Sequence, residues 1–323
     1  MAESLSSKVQ YIESIFGKGD IFGKSENIQV WCPFCKNTDL KKKKLAIKLA
    51  DFQNHCWVCG WKSKNLLFLL YRLGLKDKAQ EHKAIFNVED SNYYERKESV
   101  PEKVLELPAD FRLLNLDVDI NSIDPNIRIP CKYLIGRGIT KKRSKQMRFG
   151  VCPKTIPNQI VIPSFDVNGN LNFYTSRNCS PKAKRRYNNC DVPTSKIIFN
   201  EVDIVWKNEL LLVEGPFDLA KCELINATCM LGSTVNEEHP IIENILLNDT
   251  PVVVAFDKDA NKKAWKLCNL LKEFNIKTKI VIPKFEDDIG KMEKKFVVDY
   301  INENKIEYDW NTAMKLKMST VFD

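Results

Sequence analysis

Apolar and polar positions change rhythm several times along the 323-residue chain. An apolar run, Leu66-Leu67-Phe68-Leu69-Leu70-Tyr71, predicts a short helix that stops near Gly74. Residues 76–107 are dense in charge and lack glycine, with Pro101 near the end, and read as a linker able to carry some helix. Further on, the apolar stretches 159–163 and 171–174 flank Asp166-Val167-Asn168-Gly169. Asn-Gly supplies the positive-φ residues of a tight turn, so this predicts a hairpin. From about Glu209, continuous apolar segments at 210–213, 227–231, 252–256 and 278–282 alternate with helical stretches. The clearest helix is 261–274, with Ala264, Trp265, Leu267, Cys268, Leu271 and Phe274 on one face. Strands apolar on both faces, joined by amphipathic helices, predict a buried parallel sheet of βαβ units.

Composition narrows the class. Hydrophobic residues at 44% and aromatics at 10% exclude a wholly disordered chain, and the length favours two or three domains. No apolar run approaches the roughly 20 residues of a spanning helix, and the first residues lack a basic segment followed by an apolar one, so neither a membrane protein nor a secreted one is expected. The net charge of +8 is weak for this length, but its placement is informative. Residues 131–150 hold seven basic side chains and 176–190 hold five, with no acid in either window, so the rest of the chain nets −4. Positive charge is gathered in the middle third, as an anionic partner would require.

Eleven cysteines in a chain without an export signal read as free thiols or metal ligands. Cys32-Pro33-Phe34-Cys35 and His55-Cys56-Trp57-Val58-Cys59 form two Cys-x-x-Cys knuckles with twenty residues between Cys35 and Cys56. Four thiolates so spaced suit one tetrahedral, structural Zn²⁺, with His55 a bystander. Trp31, Phe34, Trp57, Trp61 and lysines 41–44 surround them. These are able to stack and clamp single-stranded nucleic acid, or equally to form a small core beside a solvated lysine turn.

Gly17-Lys18-Gly19-Asp20-Ile21-Phe22-Gly23-Lys24-Ser25 falls short of a phosphate-binding P-loop, because Lys18 stands where the first glycine is needed and no buried strand leads in. The acids after the apolar strands carry more. Segment 210–213 runs into Glu214-Gly215-Pro216-Phe217-Asp218, and 252–256 runs into Asp257-Lys258-Asp259. In a parallel sheet these strand ends share one edge, where ligands bind. Glu214, Asp257 and Asp259 converging there would repel one another unless joined by a hard cation such as Mg²⁺ or Mn²⁺. A third acidic cluster, Glu286-Asp287-Asp288, follows the strand ending near Ile282 and could reach the same edge, whereas Asp218, inside a helix start, is expected to cap or brace.

Leu212-Val213-Glu214-Gly215-Pro216-Phe217-Asp218 with Ala255-Phe256-Asp257-Lys258-Asp259-Ala260 resembles the Toprim domain of DnaG-type primases, topoisomerases and some nucleases. Tyr133-Leu134-Ile135-Gly136-Arg137-Gly138-Ile139 resembles the segment that opens the primase catalytic core. Arg186-Tyr187-Asn188-Asn189 resembles the basic-Tyr-Leu-Asn stretch before Toprim, with Asn188 where leucine is usual. With the amino-terminal knuckles, the resemblance to DnaG-type primases runs in the family's order over residues 30–302. The all-cysteine ligand set is that of phage members.

The resemblance implies a multidomain α/β protein: a small β zinc ribbon at 1–75, a charged linker at 76–107, a mixed α+β basic subdomain at 108–205, a Toprim domain with a parallel sheet at 206–303, and a short tail at 304–323. It implies a DNA primase that copies single-stranded DNA into short RNA primers from ribonucleoside triphosphates, using two or more Mg²⁺ or Mn²⁺ ions. Asp257 and Asp259 would hold metal, with Glu214 as ligand or general base and Asp287 or Asp288 as a further ligand. Arg137, Lys184, Arg185, Arg186, Tyr187 and Asn188 would meet nucleotide or template, and the ribbon would hold the template. The length suggests a replicative helicase as a separate chain. The compartment expected is the cytoplasm, that of the host if the gene is phage-borne. The competing readings are a Toprim nuclease and a non-catalytic single-strand-binding replication factor.

Overall fold

The computed structural model describes residues 5–35, 42–86, 105–117, 124–223, 225–232, 235–282 and 289–319. Two compact units emerge, Met1–Val100 with Glu273–Asn275, and Pro101–Lys272 with Ile276–Asp323. The architecture is mixed α/β with three five-stranded sheets.

The first unit opens with helix α1 (Leu5–Phe16), which no apolar run announced; its buried side chains are Tyr11 and Ile12. An antiparallel meander follows, β1 (Asp20–Phe22), β2 (Asn27–Val30), β3 (Leu45–Lys48), β4 (Asn54–Cys56) and β5 (Lys62–Ser63). The P-loop look-alike is therefore a helix end leading into a hairpin, with Gly23, Lys24 and Ser25 at positive φ in the turn. Helix α2 (Leu66–Arg72) is capped by Asn65, whose Oδ1 accepts from the Phe68 amide at 3.1 Å.

Helix α3 (Lys76–Ile85) corrects the linker boundary. Only Ala79 and His82 of this charged segment are buried, yet His82 lies 4.8–5.5 Å from the rings of Phe86, Phe52 and Tyr11, and the Tyr11 hydroxyl donates to the Lys78 carbonyl at 2.8 Å. Residues 76–86 thus belong to the packed body, held by few side chains and so without apolar periodicity.

In the second unit, β6 (Arg112–Leu113), α4 (Pro125–Gly136), α5 (Lys141–Gln146), β7 (Gly150–Cys152), β8 (Ile156–Phe165), β9 (Leu171–Asn178) and β10 (Tyr187–Asn189) come first. Their sheet is antiparallel in the order β10-β9-β8-β7-β6. The β8–β9 turn forms as the sequence indicates: Asp166 Oδ1 accepts the Asn168 and Asn170 amides at 2.9 and 2.8 Å, and Gly169 has φ +81°.

The third sheet is built from β11 (Leu210–Val213), α6 (Pro216–Lys221), β12 (Ala227–Cys229), α7 (Pro240–Asn248), β13 (Val252–Ala255), α8 (Asn261–Glu273) and β14 (Thr278–Val281). These strands lie in the order β12-β11-β13-β14 and are all parallel. Leu-Leu-Leu-Val and Val-Val-Val-Ala are buried at every position, as central parallel strands must be.

Helix α9 (Lys294–Asn304) leads to β15 (Lys305–Glu307), which adds antiparallel to β14, and then to α10 (Trp310–Ser319). The segment read as a tail therefore supplies an edge strand; three residues with two charges gave too little pattern to show it. One core spans both sheets of this unit, including Leu134, Phe149, Ile160, Phe173, Val213, Phe217, Val253 and Ala255. The basic and acidic subdomains are fused rather than hinged.

Candidate functional site

Two groups of metal-type ligands stand out among the described residues. In the first unit, Cys32 and Cys35 follow β2, Cys56 ends β4, and Cys59 lies in the turn to β5. Their four sulfurs lie within 4.8 Å of one another, with Cys32–Cys59 at 3.7 Å and Cys35–Cys56 at 3.4 Å. A tetrahedron with Zn–S bonds of about 2.3 Å has edges near 3.8 Å, so the donor set fits zinc. Burial pushes the Cys56 thiol up, but the backbone amides of Cys59 and Val58 with the Cys35 and Cys32 contacts bring it down to about 7, while burial pushes the Cys32 and Cys35 thiols up.

The aromatic residues around the cysteines divide. Phe34 packs on Trp61 at 4.7 Å, and the Trp61 indole donates to Asn54 Oδ1 at 2.8 Å, so these two build the small core. Trp31 and Trp57 are exposed and flank Lys44, whose amide donates to Val30 and whose carbonyl accepts from Trp57, both at 3.2 Å. Phe34 and Trp61 thus serve the small core, while Trp31 and Trp57 stay on the surface.

In the second unit, β11 and β13 are neighbours in register, Val213 opposite Ala255. Glu214 therefore leaves the sheet beside Asp257, and a 3₁₀ turn at Lys258–Ala260 brings Asp259 to the same edge. One oxygen from each of Glu214, Asp257 and Asp259 lies within 4.8 Å of the others. Burial pushes the Glu214 carboxyl up from the ordinary range, and the Asp259 charge adds to this; Lys263, at 3.9 Å, opposes it. Clustered carboxylates with hard oxygen donors, beside the Lys263 ammonium, fit divalent Mg²⁺ or Mn²⁺. Asp218 does cap: its Oδ2 accepts the Gly215 amide at 2.9 Å. Asp287 and Asp288 lie outside the described residues.

The basic motif residues come to this edge unequally. Arg137 follows α4, its guanidinium 5.3 Å over the Tyr133 ring and 5.4 Å over Phe217, three residues beyond Glu214, and its Nη1 donates to the Gly290 carbonyl at 3.3 Å. Tyr187 is half-buried, and its hydroxyl is held neutral by burial, against the pull of Arg177. Asn188 Nδ2 donates to Gln159 Oε1 at 3.0 Å, while Lys184, Arg185 and Arg186 are exposed before β10.

Sequence reasoning passed over Arg177, which is 8% exposed and lies over the Tyr187, Tyr133 and Phe217 rings at 4.7, 5.8 and 5.8 Å. Its signal was positional, a basic residue in register with the inward-facing Phe173 and Thr175 of β9. Lys221 on α6 was also missed. A cleft of about 400 Å³ opens here, lined by Lys132, Tyr133, Gly136, Arg137, Gly290 and Lys291.

Neither protein-family models nor curated proteins give a match to this chain. Solved structures do. The chain is similar to the Aquifex aeolicus primase, zinc-binding and RNA polymerase domains, at 14% identity over 95% of this chain and 87% of that one, with a TM-score of 0.46. A DnaG primase catalytic domain bound to single-stranded DNA matches at 14% identity over 57% of this chain and 74% of that one, TM-score 0.48. A DNA primase domain from Pseudomonas aeruginosa matches at 15% identity over 58% and 74%, TM-score 0.47. The solved structures this chain resembles are DnaG-type primases.

Proposed function

We propose that the protein is a DNA primase, a template-directed RNA polymerase that assembles short primers on single-stranded DNA from ribonucleoside triphosphates. The observation that carries this reading is the meeting of Glu214, Asp257 and Asp259 at one sheet edge, with Arg137 of the primase-like segment stacked on Phe217 of the Glu214 turn. Acids alone would fit any metal-dependent phosphoryl enzyme. A guanidinium anchored to the same turn adds the charge that a triphosphate needs.

In this reading Asp257 and Asp259 hold divalent ions, and Glu214 is a further ligand or takes a proton from the attacking hydroxyl. When bound, the ions supply activation of the 3′ hydroxyl and neutralisation of the leaving pyrophosphate. Arg137 meets phosphate oxygens, held for the task by its stacking. Lys184, Arg185 and Arg186, exposed ahead of β10, track template phosphates, with Tyr187 and Asn188 beside them. The zinc-bound ribbon holds template bases against Trp31 and Trp57. Asp287 or Asp288 serves as an additional metal ligand. A replicative helicase on a separate chain is the expected partner, with the cytoplasm as the site of action. No helix among the described residues is long and apolar enough to cross a membrane.

The test is incubation with single-stranded DNA, Mg²⁺ and labelled ribonucleotides. Short RNA products that vanish in Asp257→Ala and Asp259→Ala are expected. DNA cleavage by the wild type would establish a nuclease instead, and DNA binding without synthesis a replication factor.

A further inference from the structure

Lys221 is 4% exposed, on the short helix that follows the Glu214 turn. Its ammonium donates to two backbone carbonyls from distant parts of the chain, Arg137 at 2.5 Å and Met292 at 2.9 Å. Burial, reinforced by the Arg137 charge, pulls its pKa below the usual lysine value. A hydrophobic side chain would pack in a helix turn without desolvating a charge, so a buried lysine needs a reason in its partners.

Those partners identify the reason. Arg137 ends the wall of the cleft formed by Lys132, Tyr133 and Gly136, and Met292 directly follows the opposite wall, Gly290 and Lys291. The Lys221 ammonium therefore ties the bases of both walls together from α6. A second tie crosses the cleft, where Arg137 Nη1 donates to the Gly290 carbonyl. Three basic side chains and one tyrosine ring line the space between. A cavity of that size and charge suits a chain of phosphates, with the phenol ring beside it.

We infer that this cleft is a polyphosphate-binding site and that Lys221 is a positioning residue for it, setting the distance between Arg137 and the Gly290–Lys291 wall. Lys221 itself, buried beneath the walls, does not touch the anion. The inference rests on the proposed polymerase reading only in naming the anion as the triphosphate of an incoming nucleotide.

Calorimetric titration of the full chain with inorganic tripolyphosphate tests it directly. Wild type binds; Arg137→Ala weakens binding about tenfold, the loss of one charge-assisted contact. Lys221→Met, checked for an unchanged melting transition of the second unit, weakens it to a similar degree, and Lys221→Arg recovers part of the loss. Because Lys221 acts through Arg137, the double variant is no more than about tenfold weaker than wild type. Wild-type binding by folded Lys221→Met overturns the role of Lys221, as do losses that multiply in the double variant, and unchanged binding in Arg137→Ala overturns the cleft.

Should Lys221→Met fail to fold, Lys221→Gln takes its place under the same criteria, with Lys221→Arg again expected to recover part of the loss. In primer synthesis, Lys221→Met raises KM for ribonucleotides and leaves kcat near wild type. No synthesis by a wild type whose tripolyphosphate binding depends on Arg137 and Lys221 sinks the polymerase reading and keeps the cleft. Synthesis with an unaltered KM in Lys221→Met sinks Lys221's role and keeps the polymerase.

Discussion

The cysteine cluster and the acidic cluster solve the same electrostatic problem with opposite relations to the fold. Both gather donors of like charge within 4.8 Å. The four cysteines sit in two turns joined by short strands, at the edge of a meander whose own core is built from Ile28, Leu45, Ile47, Leu49 and Phe52. Strand pairing and the Phe34–Trp61 contact bring the two turns together, but only a metal relieves the repulsion among the sulfurs once the thiolates form. The carboxylates stand at the end of β11 and β13, whose every residue is buried in a core shared by two sheets. That sheet holds the acids together whether or not a cation is present. A metal is part of the fold in the first case and is carried by the fold in the second.

The largest effect should follow from removing zinc. Structural zinc contributes about 10–16 kcal/mol of apparent binding free energy in small zinc-binding peptides, as much as the roughly 5–15 kcal/mol that is the whole stability of an ordinary domain. One Zn²⁺ per chain is expected by metal analysis, and chelation or Cys35→Ser should unfold the first unit while the second keeps its own melting transition. A zinc-free chain with an intact first unit would break the contrast.

At the acidic edge the expectation reverses. Asp257→Asn should reduce primer synthesis by about a thousandfold or more, the scale for removal of a charge-stabilising catalytic group. Its melting temperature should stay at or above that of wild type, because one member of a repelling trio has been neutralised. Loss of stability would show that the acids are structural.

The difference between the units also decides what was legible from sequence. Continuous apolar strands left no alternative to a buried parallel sheet, and β11 and β13 placed Glu214, Asp257 and Asp259 at one edge by chain geometry alone. Cys-x-x-Cys spacing did the same for the zinc-type cluster. Strand β15 was illegible, and α3 legible only as some helix within a charged segment, because each is held by a few specific partners rather than by a repeating face. Arg177 and Lys221 were illegible because a buried cation looks, in sequence, like the exposed lysines and arginines around it; only its register on a strand or its carbonyl partners distinguish it.

His82 shows that the first unit's core also carries a cost that no metal relieves. Both its ring nitrogens are buried and lack hydrogen-bond partners. Burial, aided by the charge of Lys8, brings its pKa down from 6.5 to about 3. The unfolded chain therefore binds a proton between those values that the folded chain does not. Stability is complete above pH 6.5 and falls as pH drops below it, by up to about 1.4 kcal/mol per unit until pH 3. His82→Leu should abolish that slope and stabilise the first unit by about 1–2 kcal/mol at pH 7, since an unsatisfied polar group is replaced by an apolar one. Urea unfolding at pH 7 and pH 5 measures both, and an unchanged pH slope in the variant would assign the acid sensitivity elsewhere.

The smallest effect belongs to the other end of β11. Glu209 precedes the strand as Glu214 follows it, but its two oxygens accept from Lys279 and Lys305 at 2.7 and 2.8 Å. Burial alone would raise the Glu209 carboxyl, yet the two lysines hold it below the ordinary range, the reverse of Glu214. Two acids five residues apart are thus separated in role by what faces them, cations in one case and carboxylates in the other. Glu209 joins β11 to β14 and to the edge strand β15, but its side chain is 35% exposed and water screens the pair. Glu209→Gln should therefore cost the second unit only about 0.5 kcal/mol, a loss that shrinks further in high salt and leaves primer synthesis unchanged. If Glu209→Gln instead abolished synthesis, the two ends of the strand would not be functionally distinct, and the rule drawn from their partners would fail.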